Sequence, residues 1–194
     1  MAKIGVFGGT FDPVHFGHIY LARRAVSECG LNRAIVVPAE IQPFKSGITH
    51  ASGEHRYNMV KLAFENDENI IVSDIELKKG GTSYTIDTLK EIRSSYAIGT
   101  EIYFILGVDA FLKIEIWKEP AELLSDFSFI IGARPGYGLS ITFDAKYTVI
   151  ENKQIAVSSS EIRQIIKSGG DISGFVPPAV ERYISANGLY KEVH

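Results

Sequence analysis

The sequence predicts a doubly wound α/β domain, a parallel sheet with helices on both faces. Three observations carry that prediction. Strand-like and helix-like patterns alternate along nearly all of the 194 residues. The first elements run strand, loop, helix, strand, which is a βαβ unit with parallel strands and a right-handed crossover. Glycine- and proline-bearing turns follow several strand ends, where such sheets hold their ligands.

Each element has a local cause. Residues 3–7 (Lys-Ile-Gly-Val-Phe) form a short apolar strand, ended by Gly8-Gly9-Thr10 and then Asp12-Pro13. A helix is predicted from about residue 17, because Ile19, Leu21, Ala22, Ala25 and Val26 recur at helical spacing. Gly30 stands where that helix should stop. Residues 34–37 make a second strand, closed by Pro38. Residues 38–53 are rich in Pro, Gly, Ser and Thr and lack a period, which predicts a long loop of the functional kind. Helix is expected over 54–64, strand over 70–72, and helix over 84–96 on the stripe Ile86, Leu89 and Ile92. Strands follow at 101–106, before Gly107-Val108-Asp109, and at 127–131, ending near Arg134-Pro135-Gly136. Residues 147–150 read as a last strand, and 159–167 and 178–186 as closing helices, the second stopped by Asn187-Gly188. No repeat or linker divides the chain, so residues 1–194 read as one domain.

A hydrophobic share of 45% with 22% charged residues supports a real core in a soluble protein. Twenty basic against 23 acidic residues, net charge -3, argue against a broad nucleic-acid surface but leave room for a locally basic phosphate site. The single Cys29 excludes an intrachain disulfide and reads as a buried thiol in a reduced, cytoplasmic setting. The N-terminus enters strand pattern directly, without the apolar region of a signal peptide, and no apolar run is long enough to span a membrane. No nucleic-acid and no membrane partner is therefore expected, and a homo-oligomer stays open.

The most informative stretch is Gly8-Gly9-Thr10-Phe11-Asp12-Pro13-Val14-His15-Phe16-Gly17-His18. Two glycines after a buried strand let backbone approach a phosphate. His15 and His18 are three residues apart at the start of a helix, a spacing that puts both imidazoles on one face beside its positive dipole end. Such a set suits a triphosphate, because imidazole N–H groups can donate to oxygens that gain charge as a bond to phosphorus breaks. Two histidines alone fall short of a zinc site, and the Walker A pattern is absent. The second stretch, Val157-Ser158-Ser159-Ser160-Glu161-Ile162-Arg163, combines capping hydroxyls with a guanidinium one turn inside a helix. Its plain alternative is a capped helix with a surface arginine.

Together these stretches resemble the nucleotidylyltransferase superfamily: Gly8 to His18 is similar to its HxGH region and Ser158 to Arg163 to its SSTxIR motif. Within it, the chain resembles the bacterial nicotinate mononucleotide adenylyltransferases along nearly its full length. Further matches are Gln42-Pro43-Phe44-Lys45, Gly81 through Leu89, Phe104 through Asp109, Trp117, Arg134-Pro135-Gly136-Tyr137 and the tail Asn187-Gly188-Leu189-Tyr190. The resemblance implies a Rossmann-like fold whose helices from about residue 158 complete an ATP site. It implies Gly8, Gly9, Thr10, Phe11, His15, His18, Gly107, Asp109, Ser158, Ser159 and Arg163 at ATP. Lys45, Tyr84, Thr85, Asp109, Trp117 and Arg134 would contact nicotinate mononucleotide, with His15, His18, Lys45 and Arg163 as the catalytic set. Mg²⁺ would come bound mainly through ATP oxygens, without a protein metal site. Two positions depart from the family pattern: Phe44 stands where histidine is usual, and Ser160 replaces threonine but keeps the hydroxyl.

The residues themselves agree in part. An electron-poor pyridinium stacks well on an indole, so Trp117 suits the acceptor, though core packing also explains it. Arg134 in a Pro-Gly turn could favour an anionic nicotinate, or be a surface loop charge. Lys45 could follow a phosphate, or be solvated. Asp109 could hold a ribose hydroxyl or a metal, or cap the next helix, and Thr85 could cap its own. The turn Glu54-His55-Arg56 could place basic groups near a phosphate, but reads rather as a solvated helix face. The expected reaction joins ATP to nicotinate mononucleotide with release of pyrophosphate. The rivals are a sibling adenylyltransferase for nicotinamide mononucleotide or phosphopantetheine, and a nucleotide-binding regulator without catalysis.

Overall fold

The computed structural model describes residues 1–43, 50–133, 140–151 and 158–191. Six strands form one parallel sheet: β1 (Lys3–Gly9), β2 (Arg33–Pro38), β3 (Ile70–Val72), β4 (Glu101–Gly107), β5 (Ser128–Ala133) and β6 (Lys146–Glu151), in the order β3-β2-β1-β4-β5-β6. The order reverses between β1 and β4, the place where doubly wound sheets open a crevice. Phe7 pairs with Ile105 across this switch, so Gly8-Gly9 and Leu106-Gly107 emerge side by side at the carboxyl ends.

Alternation along each strand divides the core into two layers. Phe7, Ala34, Val36, Ile105 and Ile130 face one side, against α1 (Phe16–Glu28), α2 (Gly53–Ala63), α7 (Ser159–Lys167) and α8 (Pro178–Ala186). Ile4, Val6, Ile35, Val37, Phe104 and Ile131 face the other, against α4 (Thr85–Ser94), α5 (Val108–Phe111) and α6 (Pro120–Asp126). Strands buried on both faces explain the unbroken apolar runs. Close approach is built in at Gly132, where an added Cβ would lie 2.7 Å from Leu21, so α1 can sit directly on β5. Gly30, at φ +62°, takes the left-handed turn that ends α1.

Four short elements go beyond the sequence expectation: α3 (Ile75–Lys79), α5, a 3₁₀ turn at Ile114–Ile116, and α6 with Pro120 at its first position. Cys29 is only half-buried at the end of α1, which corrects the expectation of a buried thiol. Among the described residues no helix is long and apolar enough to cross a membrane.

Candidate active site

The turn after β1 is set by packing. Phe11 is buried at φ +51°, and its ring meets Phe7 and His18 edge to face at centroid distances of 5.3 and 5.1 Å. A Cβ on Gly9 would lie 2.8 Å from that ring, so glycine there makes room for Phe11. Gly8 faces the other layer, 3.3 Å from Phe104 by the same measure. Thr10 donates its hydroxyl to Gln42 Oε1 at 2.6 Å, tying this turn to the start of the 38–53 segment.

His15 is the extended residue that precedes α1, and His18 is the helix's third residue. Their rings stack with centroids 3.8 Å apart, on one face as the spacing predicts. The His15 backbone N–H donates to His18 Nδ1 at 3.3 Å. A neutral His18 therefore carries its proton on Nε2 and has a donor on that side. Burial pushes the His15 pKa down from 6.5 to about 4, against a smaller upward pull from Glu161. His15 is thus a neutral imidazole at pH 7, and its buried Nδ1 has no hydrogen-bond partner among the described residues.

This burial has a consequence for stability. Between pH 4 and 6.5 the unfolded chain binds the His15 proton and the folded chain does not, so stability rises with pH across that window. The contribution is complete above 6.5 and lost as pH falls toward 4, about 3 kcal/mol in all. In urea unfolding at a series of pH values, His15→Asn should remove this part of the slope. An unchanged slope would assign the effect to another group.

The start of α7 is fastened to the same turn. Ser158 and Glu161 form a reciprocal capping box, with Glu161 N–H donating to Ser158 Oγ at 3.2 Å and Ser158 N–H to Glu161 Oε2 at 2.6 Å. Ser159 Oγ donates to the Pro13 carbonyl at 2.9 Å, and Arg163 Nη1 to the Asp12 carbonyl at 2.6 Å. Arg163 Nη2 also reaches Ser160 Oγ at 3.1 Å. Residues some 150 positions apart in sequence thus meet at one place, with the half-buried guanidinium held in a fixed plane.

On the β4 side, Gly107 precedes α5 and faces open space, since an added Cβ would meet no atom within 4 Å. Asp109 is exposed on the first turn of α5; it does not cap that helix, because Gly107 holds the cap position. Thr85 is likewise not a cap. Tyr84 takes that position and Thr85 is the first helical residue, whose N–H belongs to the unsatisfied first turn. Trp117 is half-buried and lies edge to face on Phe104 at 6.1 Å, the ring that Gly8 faces. Lys118 Nζ lies 5.0 Å from the centroid of the Tyr84 ring. Lys45, Phe44 and Arg134 lie outside the described residues.

Three further residues support the site. Arg56, expected on a solvated helix face, is 1% exposed. Its guanidinium donates to the carbonyls of Thr10 (2.9 Å), Ala39 (2.5 Å), Glu40 (3.2 Å) and Ala51 (3.3 Å). It thereby ties the ends of β1 and β2 to the start of α2. Asp12 accepts from His50 N–H at 2.8 Å, Ala51 N–H at 3.2 Å and the Tyr190 hydroxyl at 2.7 Å. Glu76 is buried too, accepts from Thr88 Oγ1 at 2.5 Å, and has its carboxyl pKa raised by burial.

Known proteins share this arrangement of elements. Residues 6–165 match the family model described as Cytidylyltransferase-like. A protein of Solibacter usitatus, named "Probable nicotinate-nucleotide adenylyltransferase", is 38% identical over 188 residues, spanning 97% of this chain and 99% of its own length. A Thermus thermophilus protein of the same name is 39% identical over 191 residues, spanning 97% and 100%. Among solved structures, Plasmodium falciparum nicotinic acid mononucleotide adenylyltransferase complexed with NaAD superposes with a TM-score of 0.83 at 25% identity, over 98% of each chain. Matched by the family model over residues 6–165 and by relatives 38% and 39% identical across nearly their full lengths, the chain belongs to the nicotinate-nucleotide adenylyltransferase family, within the cytidylyltransferase-like proteins.

Proposed function

We propose that this chain transfers the adenylyl group of ATP to nicotinate mononucleotide, giving nicotinate adenine dinucleotide and pyrophosphate in NAD biosynthesis. The observation that carries the reading is the junction at the strand-order switch, where stacked His15 and His18 share one turn with Ser159 and Arg163. Full-length kinship with adenylyltransferases named for this acceptor supports the choice of substrates.

The 5′-phosphate oxygen of the acceptor attacks the α-phosphorus of ATP in line. The bond from that phosphorus to the bridging oxygen breaks, and its electron pair leaves with pyrophosphate. A phosphate dianion is already a nucleophile, so the chain has no need of a general base; catalysis is positioning and charge stabilisation. His18 donates from Nε2–H, His15 acts as a neutral partner, and Arg163 offers a guanidinium held by Asp12 and Ser160. Lys45 adds a charge from the 38–53 segment. Gly8, Gly9, Thr10, Phe11, Gly107, Asp109, Ser158 and Ser159 shape the ATP side. Tyr84, Thr85, Trp117 and Arg134 shape the acceptor side. A divalent ion carried mainly on ATP oxygens fits this chemistry, since Mg²⁺ is commonly held through substrate phosphates. Mg²⁺ so bound would offset charge on the departing pyrophosphate.

Product identification after incubation with ATP, Mg²⁺ and nicotinate mononucleotide tests the reading directly. Parallel reactions with nicotinamide mononucleotide and phosphopantetheine test the acceptor. Recognition of a carboxylate by charge-assisted hydrogen bonds should favour the acid over the amide by roughly 10–100-fold in kcat/KM. Equal use of the amide would remove the acceptor assignment, and nucleotide binding without pyrophosphate release would leave a binding protein.

A further inference from the structure

Tyr190 is almost fully buried, yet its φ is +65°, a left-handed backbone that disfavours side chains other than glycine. Strain of this kind persists where the surroundings hold it in place. Its hydroxyl donates to Asp12 Oδ1 at 2.7 Å, across 178 positions of sequence. Phenylalanine would fill the same volume, so what the hydroxyl adds is this bond and a long contact to Met59 Sδ at 4.0 Å.

Asp12 faces two ways. Its carboxylate holds the His50 and Ala51 N–H groups at the end of the 38–53 segment, while its carbonyl accepts from Arg163 Nη1 at 2.6 Å. The C-terminal turn is itself anchored. Tyr183 on α8 bonds through its hydroxyl to His55 Nδ1 at 3.0 Å and Asn58 Nδ2 at 3.1 Å on α2. Anchored α8, Tyr190, Asp12 and Arg163 therefore form one connected path from the end of the chain to the site.

We infer that Tyr190 is a positioning residue: its hydroxyl fixes the Asp12 carboxylate, and through it both the aim of Arg163 and the closing end of the 38–53 segment. The inference deepens the proposed function and rests on it. Loosening Asp12 affects alignment in the transition state more than ground-state binding, so kcat responds and KM does not.

The test compares Tyr190→Phe with Ile102→Val, a cavity variant in the opposite core layer, near the amino end of β4 and off the path from α8. Steady-state kinetics are measured below both melting temperatures, with amide hydrogen exchange at His50 and Ala51. Tyr190→Phe should lower kcat about 5–20-fold with KM for both substrates within twofold, and speed exchange at the two amides about tenfold. Ile102→Val should lower Tm while leaving kcat and those amides unchanged. The inference is overturned if Tyr190→Phe keeps full kcat, changes KM alone, or shares its kinetic and exchange effects with Ile102→Val. Absence of turnover in the unaltered chain defeats the proposed function instead, and the exchange comparison still decides the role of the hydroxyl.

Discussion

His18→Ala should lower kcat for nicotinate adenine dinucleotide formation by about 10²–10³-fold, the usual loss when one donor aimed at developing charge is removed. The expectation follows from the placement of the ring. His18 Nδ1 accepts from the His15 backbone N–H, Phe11 supports the ring edge to face, and His15 stacks against it at 3.8 Å. Three contacts hold the imidazole before any substrate arrives, so its N–H has little reorganisation left to undergo. Because the contact strengthens as the bond to pyrophosphate breaks, KM for ATP should change by less than about threefold. His18→Asn, which keeps a donor of shorter reach, should fall between the two. Turnover within twofold of normal in His18→Ala, at unchanged product identity, would take His18 out of the catalytic set.

How much of this was legible depended on whether the cause of each feature was local. Residues 159–167 and 178–186 were read to their exact ends because Ser158, Pro178 and Asn187-Gly188 signal those ends in place. The central strands were legible from apolar runs, since burial on both faces writes itself into consecutive residues. The elements at Ile75–Lys79, Val108–Phe111, Ile114–Ile116 and Pro120–Asp126 are too short to show a period, and contacts with the sheet and its neighbours decide them. In the site, the His15–His18 pairing could be read from spacing alone. Asp12 and Tyr190 could not, because their meeting is a property of the folded chain; the tail Asn187-Gly188-Leu189-Tyr190 stood out only as a motif without an assigned task. Arg56 was misread for a related reason. An arginine in the first turns of a polar helix is normally solvated, and its four carbonyl partners come from residues 10, 39, 40 and 51.

That misreading sets up the largest expected effect on stability. Arg56→Met should destabilise the fold by about 3–5 kcal/mol, the range found when one partner of a buried charged network is removed. Methionine fills much of the volume, so the loss comes from polar groups. The carbonyls of Thr10, Ala39, Glu40 and Ala51 lose their shared donor, and Asp12 and Glu40 lose a neighbouring cation that now offsets their charge. Desolvation disfavours the guanidinium and lowers its pKa, but arginine stays protonated, so the cation must be held by these contacts. Arg56→Lys separates charge from geometry: an ammonium keeps the charge but cannot span carbonyls on three segments with one planar fork. It should recover less than half of the loss. With a urea slope of about 2 kcal/mol/M, the midpoint should fall by about 2 M in the methionine variant and by roughly half that or more in the lysine variant. Equal midpoints for Arg56→Lys and the unaltered chain would mean that charge alone suffices. A loss under about 1 kcal/mol in Arg56→Met would mean that the four carbonyls find water or new donors, and that the ends of β1 and β2 are held without Arg56.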